Sequence, residues 1–168
     1  MDSLSINGNL LPVKFNYTFY SRVLDHYDPS QKDADGFNLL ISGLIAEDPS
    51  AIVKAYRFAI QQKSIPAAKD VEEALNDAGI WDTEDPFSDL YQQLRSVGFL
   101  RLKIRALLKS LKDTYTNSKK ALEVLSDTFN PKSKDDRDRK REAETEVKLA
   151  KAGYELTKEN LVKLSGQK

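Results

Sequence analysis

The sequence contains no cysteine. That excludes disulfides, thiolate zinc sites and cysteine nucleophiles, and it suits an intracellular setting. The single histidine, His26, falls near the end of a helical pattern, where a surface or packing role outweighs a catalytic one. No apolar run approaches the ~18 residues needed to span a membrane. The opening MDSLSINGN has neither a basic stretch nor an apolar one, so no signal peptide is expected and the chain reads as a soluble cytoplasmic product. Neither sign of charge dominates: Lys+Arg and Asp+Glu each total 26, which removes a global bias toward nucleic acid or anionic membrane. From Pro131 onward there are 11 basic and 8 acidic residues (+3), against 15 and 18 (−3) in the remainder, a mild asymmetry. There is no GxSxG elbow and no Gly-rich phosphate loop, so the sequence indicates no enzyme and no cofactor.

What is present is helical patterning. At 168 residues, 40% hydrophobic and 31% charged, the chain suits one domain or a domain with an appendage. Its centre is Asp35 to Gln62. Phe37, Leu40, Ile41 and Leu44 recur at helical spacing, and so do Ile52, Val53, Tyr56 and Ile60. Glu47-Asp48-Pro49-Ser50 forms the corner, with Asp48 as N-cap and Pro49 at the first helical position, where its missing N–H costs nothing. Ahead of this pair, Leu4 and Ile6 alternate into Asn7-Gly8, and Val13 and Phe15 alternate on the return, which is a hairpin signal. Pro12 suits a strand with a solvent-facing edge. Two strands alone are marginal in water, so the hairpin must lie on helices or pair with another copy.

Asn16 caps a helix to about Tyr27, with Tyr20, Val23, Leu24 and Tyr27 inward. Asp28 to Ala34 reads as a loop. Ala67 to Ala78 is a weakly amphipathic helix ended by Gly79, and Asp82 or Thr83 caps the next, whose stripe is Phe87, Leu90, Tyr91, Leu94 and Val97. Gly98 marks a break or a kink. Beyond it, Ile104, Leu108, Leu111, Tyr115, Ser118, Leu122, Leu125 and Phe129 step by four and three, a heptad seam with one polar position at Ser118. Asn130-Pro131 ends that run. After the charged stretch 132–141, Ala143, Val147, Ala150, Tyr154, Thr157, Leu161 and Leu164 repeat the stepping, with Gly153 as a costly interior residue. The expected fold is mainly α with a small N-terminal β-hairpin (α+β): a helical core over 1–98, then a heptad-patterned antiparallel helical hairpin over 99–168.

Three local features invite a functional reading. Asp33-Ala34-Asp35-Gly36 superficially matches a calcium loop, but Gln31 and Ser42 would stand where the ion needs carboxylates, so Asp33 and Asp35 read as loop and N-cap residues. The run from Lys132 to Glu146 interleaves both signs and carries no aromatic for base stacking, so it reads as a solvated turn and helix start. Trp81 sits in a polar turn, where it either anchors an interface or plugs a gap between helices.

The order of pieces is the remaining clue. SLSINGN…PVKFNY is followed by a DG-start helix with an LL..GL pattern, a DP corner, A.RFAI, P..KDVEEAL and DPFSDLYQQL…GFLRLKIRALL. Over roughly Leu4 to Leu111 this resembles the tail assembly chaperones of long-tailed (siphovirus-type) bacteriophages with Gram-positive hosts, and the hairpin beyond Leu111 is longer than that family's pattern. The resemblance implies a non-enzymatic protein of the infected host cytoplasm. It would bind the aggregation-prone tape measure protein, help recruit tail-tube protein and be absent from the mature virion. The charge balance, the failed calcium loop and the lack of a long apolar run point to no metal, no nucleic acid and no membrane as partner. Free hairpin edges and the weak second seam add an expectation of homo-oligomers. Phe58, Trp81 and Phe87, beside the ends of apolar stripes, are the candidate partner contacts. A phage structural or connector subunit and a helical protein-binding module are the competing readings.

Overall fold

The computed structural model describes residues 2–28, 35–131 and 133–166. Among these it contains a two-stranded antiparallel sheet and seven α-helices, with about 73% of residues helical. β1 (Ser3–Ile6) and β2 (Asn9–Pro12) pair Ser3 with Pro12 and Ile6 with Asn9. The turn between them has φ of 51° at Asn7 and 77° at Gly8, the positive values that a two-residue hairpin turn demands. Leu4 and Ile6 are buried, and the first strand lies against a helix, the first of the two arrangements expected for the hairpin. The chain leaving β2 is tied down as well. Gln61 N–H donates to the Pro12 carbonyl at 2.8 Å and Lys14 N–H to the Ala59 carbonyl at 2.9 Å, with Val13 opposite Ile60.

Helix α1 (Tyr17–His26) is capped by Asn16, whose side chain accepts from Phe19 N–H at 3.1 Å. Leu24, expected inward, is 41% exposed, while Phe19, outside the expected stripe, is fully buried. Helix α2 (Gly36–Ile45) is capped by Asp35, which accepts from Phe37 N–H at 2.9 Å, so its reading as an N-cap holds. Asp33, and the loop expected at Asp28 to Ala34 beyond its first residue, lie outside the described residues. The corner into α3 (Pro49–Ala59) is built as the sequence indicates. Asp48 N–H donates to the Gly43 carbonyl at 2.9 Å and Glu47 N–H to the Leu44 carbonyl at 3.2 Å. This is a Schellman-type end with Glu47 at φ 53°, a position glycine usually fills. Asp48 then accepts from Ser50 Oγ at 2.6 Å and Ser50 N–H at 2.9 Å, and these bonds hold its carboxyl below the usual carboxylate range.

Two glycines let the helices of this core approach closely. A Cβ at Gly36 would lie 2.2 Å from the Val23 carbonyl oxygen of α1, and one at Gly43 would lie 2.8 Å from Ala51 Cβ of α3. Arg22 of α1 closes the far end of α3 by donating to the Ile60 carbonyl at 2.6 Å and also to the Gln62 carbonyl. Carbonyls that have run out of helical partners are thereby satisfied.

Helix α4 (Ala68–Asp77) and a 3-10 turn (Ile80–Asp82) precede α5 (Pro86–Ser96). The cap of α5 is Asp85, accepting from Ser88 N–H at 2.9 Å, rather than Asp82 or Thr83. The physical reason is the 3-10 turn, which occupies those residues and which the sequence pattern did not reveal; Pro86 then takes the first helical position. Val97 is extended and α6 (Gly98–Asp127) begins at Gly98, so the expected interruption is a true break between helices.

Helix α7 (Lys134–Leu164) starts nine residues before its first seam residue Ala143, so most of the charged run is helix. The chain divides into two compact units: residues up to Ile104 with the segment from Lys163, and Arg105–Val162. Within the second unit α6 and α7 form a close antiparallel pair. In both helices every seam position is buried or half-buried. Yet among the described residues of Arg105–Val162 only Ser118 and Leu161 are buried, because two helices alone cannot enclose a seam. Ser118, the polar interruption, donates to Glu146 Oε1 at 2.9 Å and so pins the register of the pair.

Candidate functional site

Sequence reasoning singled out three aromatic residues, and the first unit places them differently. Phe58 is 1% exposed, in the core beneath the Arg57 guanidinium, whose centre lies 5.9 Å from its ring. In this conformation it supports a surface rather than forming one. Phe87 is half-buried near the start of α5, beside Ser88, whose hydroxyl donates to the Leu164 carbonyl at 2.7 Å. Trp81 is half-buried on the 3-10 turn. It forms one wall of an open depression of about 290 Å³ whose other walls are Lys69, Glu72, Glu73 and Asn76 of α4. Neither Phe58 nor Phe87 lines that depression, so the three residues do not share it.

On the other flank of α4 lies a second depression, of about 500 Å³, between the hairpin and the chain around Pro66. Leu10, 71% exposed, and Leu11 give it an apolar wall, and Asn7 Nδ2 donates across it to Asp70 at 3.4 Å. Helix α4 thus presents a charged ridge, Lys69 paired with Glu73 at 3.6 Å, between two partly apolar hollows.

A third feature is more apolar than either. Tyr17, at the start of α1, is 73% exposed, and its ring tilts against Phe99 of α6 with centroids 6.1 Å apart. Tyr20 closes the cluster from below, edge-on to Phe99 at 5.9 Å and to Phe37 at 5.6 Å. Leu102, one turn beyond Phe99, is 61% exposed. Lys103 lies over the Tyr20 ring at 5.0 Å, and a hydrogen bond with the Tyr20 hydroxyl pushes its ammonium above the ordinary lysine value. The result is a rigid aromatic floor, anchored in the core, with exposed apolar side chains and a cation at its rim. Aromatic residues with their backs locked in a core are the type that dominates protein–protein contacts. Tyr17, Phe99 and Leu102 were absent from the sequence-derived candidates. The available signal was the misfit of Leu102, a large apolar residue that falls off the seam of its helix; Tyr17 continues the stripe of α1 by the three-residue step to Tyr20 and gave no such signal.

Among the described residues no group of three or more His, Asp or Glu is placed to hold a metal ion, and His26 is exposed at the end of α1. No described helix is long and apolar enough to cross a membrane. A family model described as phage tail assembly chaperone protein, TAC, matches residues 3–109. No curated protein and no solved structure matches the chain.

Proposed function

Since the matched segment covers most of its length, the chain belongs to the phage tail assembly chaperone family, and from that membership we propose that it binds the tape measure protein, keeps it soluble and helps recruit tail-tube protein. The role is non-enzymatic, is carried out in the host cytoplasm and ends before the virion is complete. The observation that carries the reading is the family match over the first unit, the unit that bears the exposed aromatic floor of Tyr17 and Phe99.

The partner's amphipathic helices lay their apolar stripes on that floor and on Leu102, a helix-on-groove mode of recognition. Trp81 and Phe87 provide a second contact, and Phe58, buried in the core, stiffens α3. Burial of apolar area at roughly 25 cal/mol per Å², less association costs, supplies the affinity. The charged ridge of α4 affects encounter more than affinity. Many copies along one tape measure protein add avidity.

The test is co-expression with a tape measure fragment. The fragment is expected in the soluble fraction, in a complex that survives moderate salt. Tyr17→Ala and Trp81→Ala should each weaken capture while leaving helix content intact. An insoluble fragment, or a complex stripped by moderate salt, would overturn the reading. If Trp81→Ala unfolds the protein instead, Trp81 is a gap-filling core residue. Purified phage particles should lack the chain; its presence there in structural amounts would make it a virion subunit.

A further inference from the structure

Helix α7 carries a second stripe that the seam does not use. About 110° around the helix from the seam, Leu149, Ala152, Gly153 and Leu156 are all exposed, Leu149 at 69% and Leu156 at 60%. A Cβ added at Gly153 would meet nothing within 4 Å, so the isolated chain gives this mid-helix glycine no packing reason. Such a residue costs about 1 kcal/mol relative to alanine.

The stripe is self-complementary about the Ala152–Gly153 bond. Equidistant from that point lie Leu149 and Leu156, then Thr145 and Asn160, then Glu142 and Lys163. If a second α7 is laid antiparallel on the first with a two-fold axis at that bond, each of these residues meets a suitable partner, and the one like-charge pair within that span, Glu146 with Glu159, falls at the flanks of the stripe. Leucine meets leucine twice, the amide meets the hydroxyl, and each carboxylate meets an ammonium. The small residues sit at the crossing, where two backbones come nearest. An unrelated partner gives no reason for a self-complementary stripe, whereas isologous pairing requires one.

Helix α6 adds to the same face. Just before its own seam positions stand Ser110, Asn117, Ala121 and Val124, uncharged and exposed. In two antiparallel helices that face one another, positions just before the seam fall on one side. The opposite side of the pair is charged, with Lys119–Glu123 at 3.8 Å and Lys151–Glu155 at 3.7 Å. From Glu142 to Lys163 the face is about 32 Å long. Two helices wide it offers about 640 Å² per copy, somewhat under the ~800 Å² per partner of a standard interface.

We propose that two copies of the chain associate through this face, α7 against α7 antiparallel, with Ala152 and Gly153 at the crossing. The interface lies beyond the family-matched segment and does not rest on tape measure binding. It predicts a concentration-dependent dimer of modest affinity.

Sedimentation equilibrium of the full chain should show 19.0 kDa in dilute solution, rising toward twice that mass as concentration increases. Gly153→Lys should hold the protein at the monomer mass throughout without lowering its melting temperature in dilute solution, since the site is open in the monomer and lysine is the better helix former. Glu142→Lys or Lys163→Glu alone should weaken association about two- to five-fold, and the two together should restore it. A wild-type monomer up to about 1 mM overturns the proposal. So does a Gly153→Lys dimer as tight as wild type, or a double charge reversal that fails to recover.

Discussion

The α2–α3 corner offers the sharpest test of the packing argument, through Gly43→Ala. The substitution adds one methyl group to a helix interior, where by propensity alone it should stabilise by about 1 kcal/mol. Here the new Cβ would lie 2.8 Å from Ala51 Cβ and 3.1 Å from the Tyr27 hydroxyl. Carbon atoms pack best at about 3.5–4.0 Å. Both Cβ atoms are fixed to helix backbones and cannot rotate away, so α2 and α3 must separate by about 1 Å. Overpacking of this kind costs about 1–3 kcal/mol. The net expectation is no gain and a loss of up to about 2 kcal/mol, or up to about 6 °C in melting temperature for a domain of this size.

Trp81, the only tryptophan, lies in the first unit, so its fluorescence during urea unfolding follows that unit. Gly153→Ala, a site with nothing within 4 Å, is the control, and followed by circular dichroism in dilute solution it should stabilise. Adding Ala51→Gly to Gly43→Ala removes the opposing methyl and should recover part of the loss, giving a coupling near 1 kcal/mol. If Gly43→Ala stabilises as Gly153→Ala does, the reasoning is refuted.

Glu47→Gly should stabilise by about 0.5–1 kcal/mol, because glycine accepts the left-handed conformation at no steric cost; an unchanged urea midpoint would count against that. Leu111→Asp should loosen the α6–α7 pair far more than Lys112→Asp, since one residue lies in the half-buried seam and the other is exposed; equal effects on helix content would mean that the seam does not hold the pair. Burial pushes the Tyr27 hydroxyl up to about 12 from 10.0, so its neutral form is favoured in the folded state. The stability linked to it is full below pH 10 and is lost as pH rises from 10 to 12, about 1–3 kcal/mol in all. Tyr27→Phe should flatten that alkaline decline in a pH series of urea midpoints.

Much of this fold is local chemistry, and local chemistry is written in the sequence. Asn7-Gly8 could make its turn, and Asn16, Asp35 and Asp48 their caps, without reference to anything distant. The seams of α6 and α7 follow from a three-four step that one helix imposes by itself, and every seam position is buried or half-buried. The resemblance over the first two-thirds also rested on the order of such local pieces. Tertiary structure decided the rest, because burial depends on what arrives from elsewhere in the chain. Phe58 and Trp81 look alike as aromatics at stripe ends, yet only Phe58 is covered completely. Leu24 follows the stripe of α1 but emerges at its edge, while Tyr17 and Phe99, far apart in sequence, meet at the surface only after α1 and α6 have docked. The close approaches at Gly36 and Gly43 are equally nonlocal. A helical period states which side of a helix turns inward, but the depth of burial at each residue along that side is set by the neighbour it meets.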